Sequence, residues 1–254
     1  MSLAHITIGE GRPVAFVHGF TQTGRTWLPV IESLGVEISA TLIDAPGHGA
    51  STNGKRTLIE TASDIRDVMA PGFLVGYSMG ARMALHTALM APERVTALVL
   101  ISGTAGIENE SERASRRAND LALSQRIMHI GVDAFIDEWL DLPMFQGLSR
   151  EAANIPERVR NTAQGLADSL NFAGTGTQEP LWEELHKLHM PVLIVAGVDD
   201  AKFVDAAVRM SEKITHSTLC VVPNAGHTVH LEQPNQFNEL FEAFLTSNAE
   251  IQAD

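Results

Sequence analysis

Cysteine occurs once in the 254 residues, at Cys220, so no intrachain disulfide can form and a reducing, cytoplasmic setting is expected. Cys220 lies in the apolar run "TLCVV" and reads as a packed thiol rather than a nucleophile. Basic residues are scarce: 18 Lys and Arg stand against 31 Asp and Glu, a net charge of −13. That balance argues against a nucleic-acid or anionic membrane partner. It leaves an anionic small molecule open, because a pocket answers to its own few side chains. No apolar run reaches the roughly 18 residues of a membrane span, and no basic-then-apolar leader is seen, so neither export nor membrane insertion is expected. Internal repeats and low-complexity segments are missing too.

What the chain does have is a 44% hydrophobic composition, enough for a substantial core in one α/β domain. Short apolar runs recur, each ending in Gly, Ser, Pro or Asp: 13–19, 39–47, 72–78, 96–102, 191–197 and 217–223, with an edge strand at 4–9. They are continuous rather than alternating, as strands covered on both faces should be. Helical patterns at about 26–34, 58–69, 79–91, 203–214 and 232–246 separate them. Such alternation predicts a mostly parallel sheet flanked by helices. Between 104 and 190 the rhythm stops and the sequence is helix-forming throughout. We therefore expect a core of 1–103 and 191–254, and a helical cap of 104–190 over the carboxyl ends of the strands, where open α/β sheets bind ligands.

The segment "GYSMG" places Ser78 between two glycines, with an apolar strand before it and a helical pattern after it. Gly-x-Ser-x-Gly alone is a weak signal, but strand–turn–helix is the setting a nucleophile elbow needs. A serine needs a base, and the base needs an orienting carboxylate. "VDDAKF" offers Asp199 and Asp200 after one strand; "NAGHTVHLEQP" offers His227 and His230 after the next. His227 follows Ala-Gly on a turn able to present its ring, and is preferred over His230. The pair also spells His-x-x-His, but no companion ligands accompany it, so no metal is expected. The order Ser…Asp…His is that of the α/β-hydrolase fold. "VHGF" ends a strand in glycine, and the backbone N–H groups of Phe20 and Met79 are the expected oxyanion hole. "DAPGHGAS" reads as a structural, turn-rich loop.

With "VHGF", "DAPGHGAS", "GYSMG", "VDD" and "AGH" in order, the chain resembles the α/β-hydrolase superfamily over essentially its whole length. More narrowly, "HGFTQTGRTW", "GYSMGAR", "GIENESERASRRAND", "DEWLDLPMF", "RVRNTAQG" and "GVDDAKF" are similar to the 2-succinyl-6-hydroxy-2,4-cyclohexadiene-1-carboxylate synthase family, cofactor-free lyases of menaquinone biosynthesis. That resemblance implies an α/β-hydrolase fold with the cap inserted after the sixth core strand. It selects Asp200 over Asp199 and gives Ser78, Asp200 and His227 as the triad. It also implies Arg82, Arg116 and Arg160 as carboxylate binders, Tyr77 and Trp139 as pocket residues, no cofactor, and an anionic substrate. Separately, a monomer or weak homo-oligomer is expected. Ala81 departs from the pattern, which commonly has glycine there. The same triad also serves an esterase or carbon–carbon-bond hydrolase working through an acyl-serine. A third reading, a non-catalytic receptor on the same fold, is disfavoured by the intact triad.

Overall fold

A strand covered on both faces has no reason to alternate polar residues, and the continuous apolar runs do become strands. The computed structural model describes residues 2–248. In it, β1 (His5–Ile8), β2 (Arg12–Val17), β3 (Ile38–Ile43), β4 (Gly72–Tyr77), β5 (Val95–Ile101), β6 (Val192–Gly197) and β7 (Ser217–Val222) form one sheet in the order β1-β3-β2-β4-β5-β6-β7. β1 runs antiparallel to β3, and every other pairing is parallel. Successive side chains of β2 enter opposite layers. Val14 and Phe16 pack with Trp27, Phe237 and Phe241, while Ala15 and Val17 pack with Met79, Met83 and Leu85. Burying a side chain such as Phe16 contributes about 1.5–3 kcal/mol.

One layer carries α1 (Leu28–Glu32) and the other α2 (Leu58–Val68) and α3 (Met79–Met90). Thr57 and Glu60 close a reciprocal capping box at the start of α2. Four helices, α4 (Glu110–Ile130), α5 (Val132–Leu140), α6 (Ile155–Arg158) and α7 (Ala163–Ala173), lie between β5 and β6; α8 (Ala201–Lys213), α9 (Val229–Glu232) and α10 (Pro234–Ser247) complete the chain as described. The helical segment therefore follows the fifth strand of this sheet, not the sixth, because a single strand precedes β2. Its neck is tied where Leu181 N–H donates to the Ala105 carbonyl at 2.7 Å and the Trp182 indole N–H to the Gly106 carbonyl at 2.9 Å. Its own small core joins Ile127, Phe135, Leu166 and Leu170, with Phe20 of the β2 loop packed against it.

β7 differs from expectation. At the sheet edge it is only partly covered, and Cys220 is half-buried against one core layer rather than enclosed. Partial burial raises the pKa of this thiol, which keeps it in the unreactive form.

The turn from β4 into α3 is sharp. Ser78 has φ 52° and ψ −107°, a strained conformation for a non-glycine residue. The turn closes only because its flanks are small: a Cβ on Gly80 would overlap the Val17 carbonyl oxygen, and one on Gly76 the Gly80 carbonyl oxygen. Gly80→Ala should accordingly destabilise the fold by about 1–3 kcal/mol. A melting temperature within experimental error of wild type would show that the elbow has slack. Ala81 points elsewhere: its methyl fills the space left by Gly103, where an added Cβ would stand 2.7 Å from it.

Candidate active site

Parallel strands end at one rim, so residues distant in the chain meet there. Ser78 follows β4, Asp200 follows β6 and His227 follows β7. His227 Nε2 is 2.8 Å from Ser78 Oγ, and His227 Nδ1 is 2.6 Å from Asp200 Oδ2. The tautomer that satisfies both contacts carries its proton on Nδ1, donating to the carboxylate and leaving Nε2 to accept the serine O–H. The ring is 1% exposed, packed among Phe203, Tyr77 and Phe145 with centroids 4.6, 5.4 and 6.1 Å away. Asp199 is exposed. His230 is buried, stacked on Trp27 at 4.5 Å, and burial depresses its pKa to about 3. Neither joins the relay.

The loop after β2 stands beside the elbow because Val17 pairs with Gly76 across the sheet. Phe20 lies on this loop, and Met79 opens α3, where the first N–H groups of a helix lack intrahelical partners. Two buried imidazoles fix the loop. His18 Nε2 accepts from Ala45 N–H at 3.0 Å, and His48 Nε2 accepts from Thr21 N–H at 3.4 Å. Their Nδ1 atoms face the carbonyls of Gly19 and Pro46, so each ring is held neutral with Nδ1–H donating. Gln22 Oε1 also accepts from Gly19 N–H, at 2.9 Å.

Protonating either imidazole would remove the acceptor that pins the loop. Burial lowers the pKa of His18 to about 4 and of His48 to about 3, from an ordinary 6.5. In the unfolded chain both titrate near 6.5, so the stability they contribute is complete above that pH and is lost as pH falls towards 3. We expect the melting temperature to fall from pH 6.5 towards pH 4, with a shallower slope in His48→Gln. Parallel slopes for the two proteins would remove His48 from this account.

The arginines divide. Arg82, one helical turn beyond Ser78, is buried, and its guanidinium donates to the Ala173 carbonyl at 3.0 Å. Burial and the neighbouring Arg116 lower its pKa to about 10, against the opposing pull of Asp120, so it stays charged at neutral pH. Arg116 Nε donates to Asp120 Oδ1 at 2.8 Å, and the second oxygen of Asp120 accepts from Gly176 N–H at 3.1 Å. Two guanidinium groups thus share the field of a single buried carboxylate.

Arg160 is a correction. Its side chain is 62% exposed and pairs with Glu157 at 3.4 Å, facing solvent. The residue held inside is Arg158, 1% exposed, bonded to the Thr21 hydroxyl and, at 2.7 Å, to the Ala153 carbonyl. Among the described residues no carboxylate pairs with it, and burial lowers its pKa to about 10. Asn161, three residues on, also points inward, donating to the Thr21 carbonyl at 2.7 Å and accepting from Gly49 N–H at 2.8 Å.

Tyr77 is buried beneath the histidines, with its ring 4.6 Å from the His230 ring. Trp139 packs on Phe20 at 5.2 Å and Phe145 at 5.7 Å, and its indole N–H finds no protein acceptor. Among the described residues no cluster of three or more His, Cys, Asp or Glu is arranged to hold a metal ion, and no helix is long and apolar enough to cross a membrane.

A strained serine on a strand–helix turn, with an acid and a histidine from later strand ends of a mostly parallel sheet, defines an α/β-hydrolase fold. The alpha/beta hydrolase family profile matches residues 14–240, and the chain belongs to that family. It is 38% identical, over 97% of its length and all of the relative's, to a Bacillus subtilis (strain 168) protein provisionally named 2-succinyl-6-hydroxy-2,4-cyclohexadiene-1-carboxylate synthase. The synthase of that name from Salmonella newport (strain SL254) is 32% identical over 91% of this chain and 92% of the relative. Among solved structures, MenH from S. aureus superposes with a TM-score of 0.89 and 28% identity, covering 98% of this chain and all of that one.

Proposed function

We propose that the protein is a cofactor-independent lyase that eliminates pyruvate from 2-succinyl-5-enolpyruvyl-6-hydroxy-3-cyclohexene-1-carboxylate, acting in the cytoplasm beneath a cap formed by residues 104–190. The observation that carries this reading is the pairing of a connected Ser78–His227–Asp200 relay with buried guanidinium groups short of carboxylate partners. Like charges packed together in a partly dry site repel until an anion enters, and a guanidinium fork matches a carboxylate. The substrate carries three carboxylates. Similarity to the named synthases supports the same assignment.

In the reaction, His227 Nε2 takes the proton of Ser78, and Asp200 stabilises the resulting imidazolium. Ser78 Oγ removes the ring proton α to the succinyl ketone. The electron pair moves towards the ketone oxygen, where Phe20 and Met79 N–H groups stabilise the enolate. As the enolate collapses, the ring C–O bond to the enolpyruvyl group breaks and the second ring double bond forms. The departing enolpyruvate takes up a proton, released through the relay, and becomes pyruvate. Arg82 and Arg116 bind carboxylates, Trp139 donates its free indole N–H, and Arg158 adds positive potential from behind the Phe20 loop. Tyr77 acts as a wall beneath His227.

Pyruvate release from the cyclohexene precursor, followed with lactate dehydrogenase and NADH, tests the assignment. Release at a rate above the spontaneous one is expected. Hydrolysis of simple esters without any pyruvate release would overturn the lyase in favour of acyl-serine chemistry.

A further inference from the structure

The elimination chemistry uses only the side chain of His227, yet the backbone on both sides of that residue is fixed by one carboxylate. Glu232 Oε2 accepts from Gly226 N–H at 2.8 Å. Glu232 Oε1 accepts from Thr228 N–H at 2.9 Å and from the Thr228 hydroxyl at 2.8 Å. Gly226 and Thr228 are the immediate neighbours of His227. Tyr77, which directly precedes Ser78, packs on the His227 ring with centroids 5.4 Å apart. Contacts of Glu232 and Tyr77 therefore converge on the residue that carries the base, one on its flanking backbone and one on its ring.

The network reaches the helical segment as well. A Cβ on Gly147, in the loop after α5, would overlap Glu232 Oε2. A Cβ on Gly226 would stand 3.5 Å from the Met144 carbonyl oxygen, and Phe145 rests on the His227 ring. The Met144–Gly147 loop is thus seated on the carboxylate that holds the histidine loop.

We propose that Glu232 is a positioning residue: it sets His227 in line with Ser78 and Asp200, and it transmits the seating of the Met144–Gly147 loop to that alignment. The proposal rests on His227 being the base that activates Ser78, but not on any substrate. Its readout is accordingly the rate at which a fluorophosphonate probe labels Ser78, which reports serine activation without requiring the native substrate. Small misplacements of reacting groups cost about 100-fold, and Glu232→Ala should slow labelling by about that factor. Glu232→Gln, which keeps the volume and one acceptor oxygen, should restore part of the loss. The downfield proton resonance of His227 Nδ1–H, expected in wild type, should vanish in Glu232→Ala. Gly147→Ala should slow labelling in the wild-type background by dislodging Oε2 from Gly226, and should add nothing once Glu232 is gone.

A Glu232→Ala protein that melts cooperatively and labels at the wild-type rate overturns the proposal, because a purely structural carboxylate would change only the melting temperature. If Glu232→Ala does not fold, Glu232→Gln decides by the same criterion. Independent, additive slowing by Gly147→Ala overturns the link to the helical segment. Wild-type labelling of His227→Ala would instead overturn the reading of the base, which distinguishes the two failures.

Discussion

Ser78→Ala should leave a folded protein whose turnover falls by about 10⁴-fold or more. The hydroxyl is the only group removed, and its partner is His227 Nε2 at 2.8 Å, so the packing of the elbow is untouched. What remains is whatever the anion-stabilising loop and the arginines achieve without a base. Single-turnover pyruvate release, alongside a melting curve, makes the measurement. Activity within tenfold of wild type would mean that the hydrogen-bonded relay is bypassed.

Arg158→Met should separate stability from activity. A buried guanidinium without a carboxylate is expensive to hold, and an apolar residue of similar volume commonly matches or improves on it. The melting temperature should therefore hold or rise. Activity should fall, because the substitution removes both a charge and the tether to Thr21 behind Phe20. A hydrogen bond to a charged group contributes about 1.5–3 kcal/mol, so kcat/KM should drop roughly 10- to 150-fold. Arg160→Ala, which breaks only an exposed pair with Glu157, is the matching control and should change neither quantity appreciably. Equal losses from both variants would return the assignment to position 160.

The strand ends could be read from the chain with little error because hydrophobic burial on both faces leaves an unbroken apolar run. The runs at 72–78 and 191–197 became Gly72–Tyr77 and Val192–Gly197. Ser78, Asp200 and His227 were candidates because they follow such runs, and the structure brings them within hydrogen-bonding distance. The phase of the short helix at Ile155–Arg158 was harder. It starts after Asn154 in a left-handed conformation, which no spacing rule anticipates, and this phase decides which of two neighbouring arginines is enclosed. Glu232 left no trace either, since its partners are largely backbone N–H groups common to every sequence. His18 and His48 looked like parts of turns. Their work as neutral acceptors depends on two loops meeting, 27 residues apart.

The chain order of the triad has a bearing on biosynthesis. The serine and its strain belong to the first third of the polypeptide, whereas the imidazole arrives only with the final strand, β7, and the loop behind it. A polypeptide ending before Ser217 lacks the imidazole that stands 2.8 Å from Ser78 Oγ. Any reactivity of Ser78 that depends on His227 is therefore absent until the last described strand of the sheet and the loop behind it have been made.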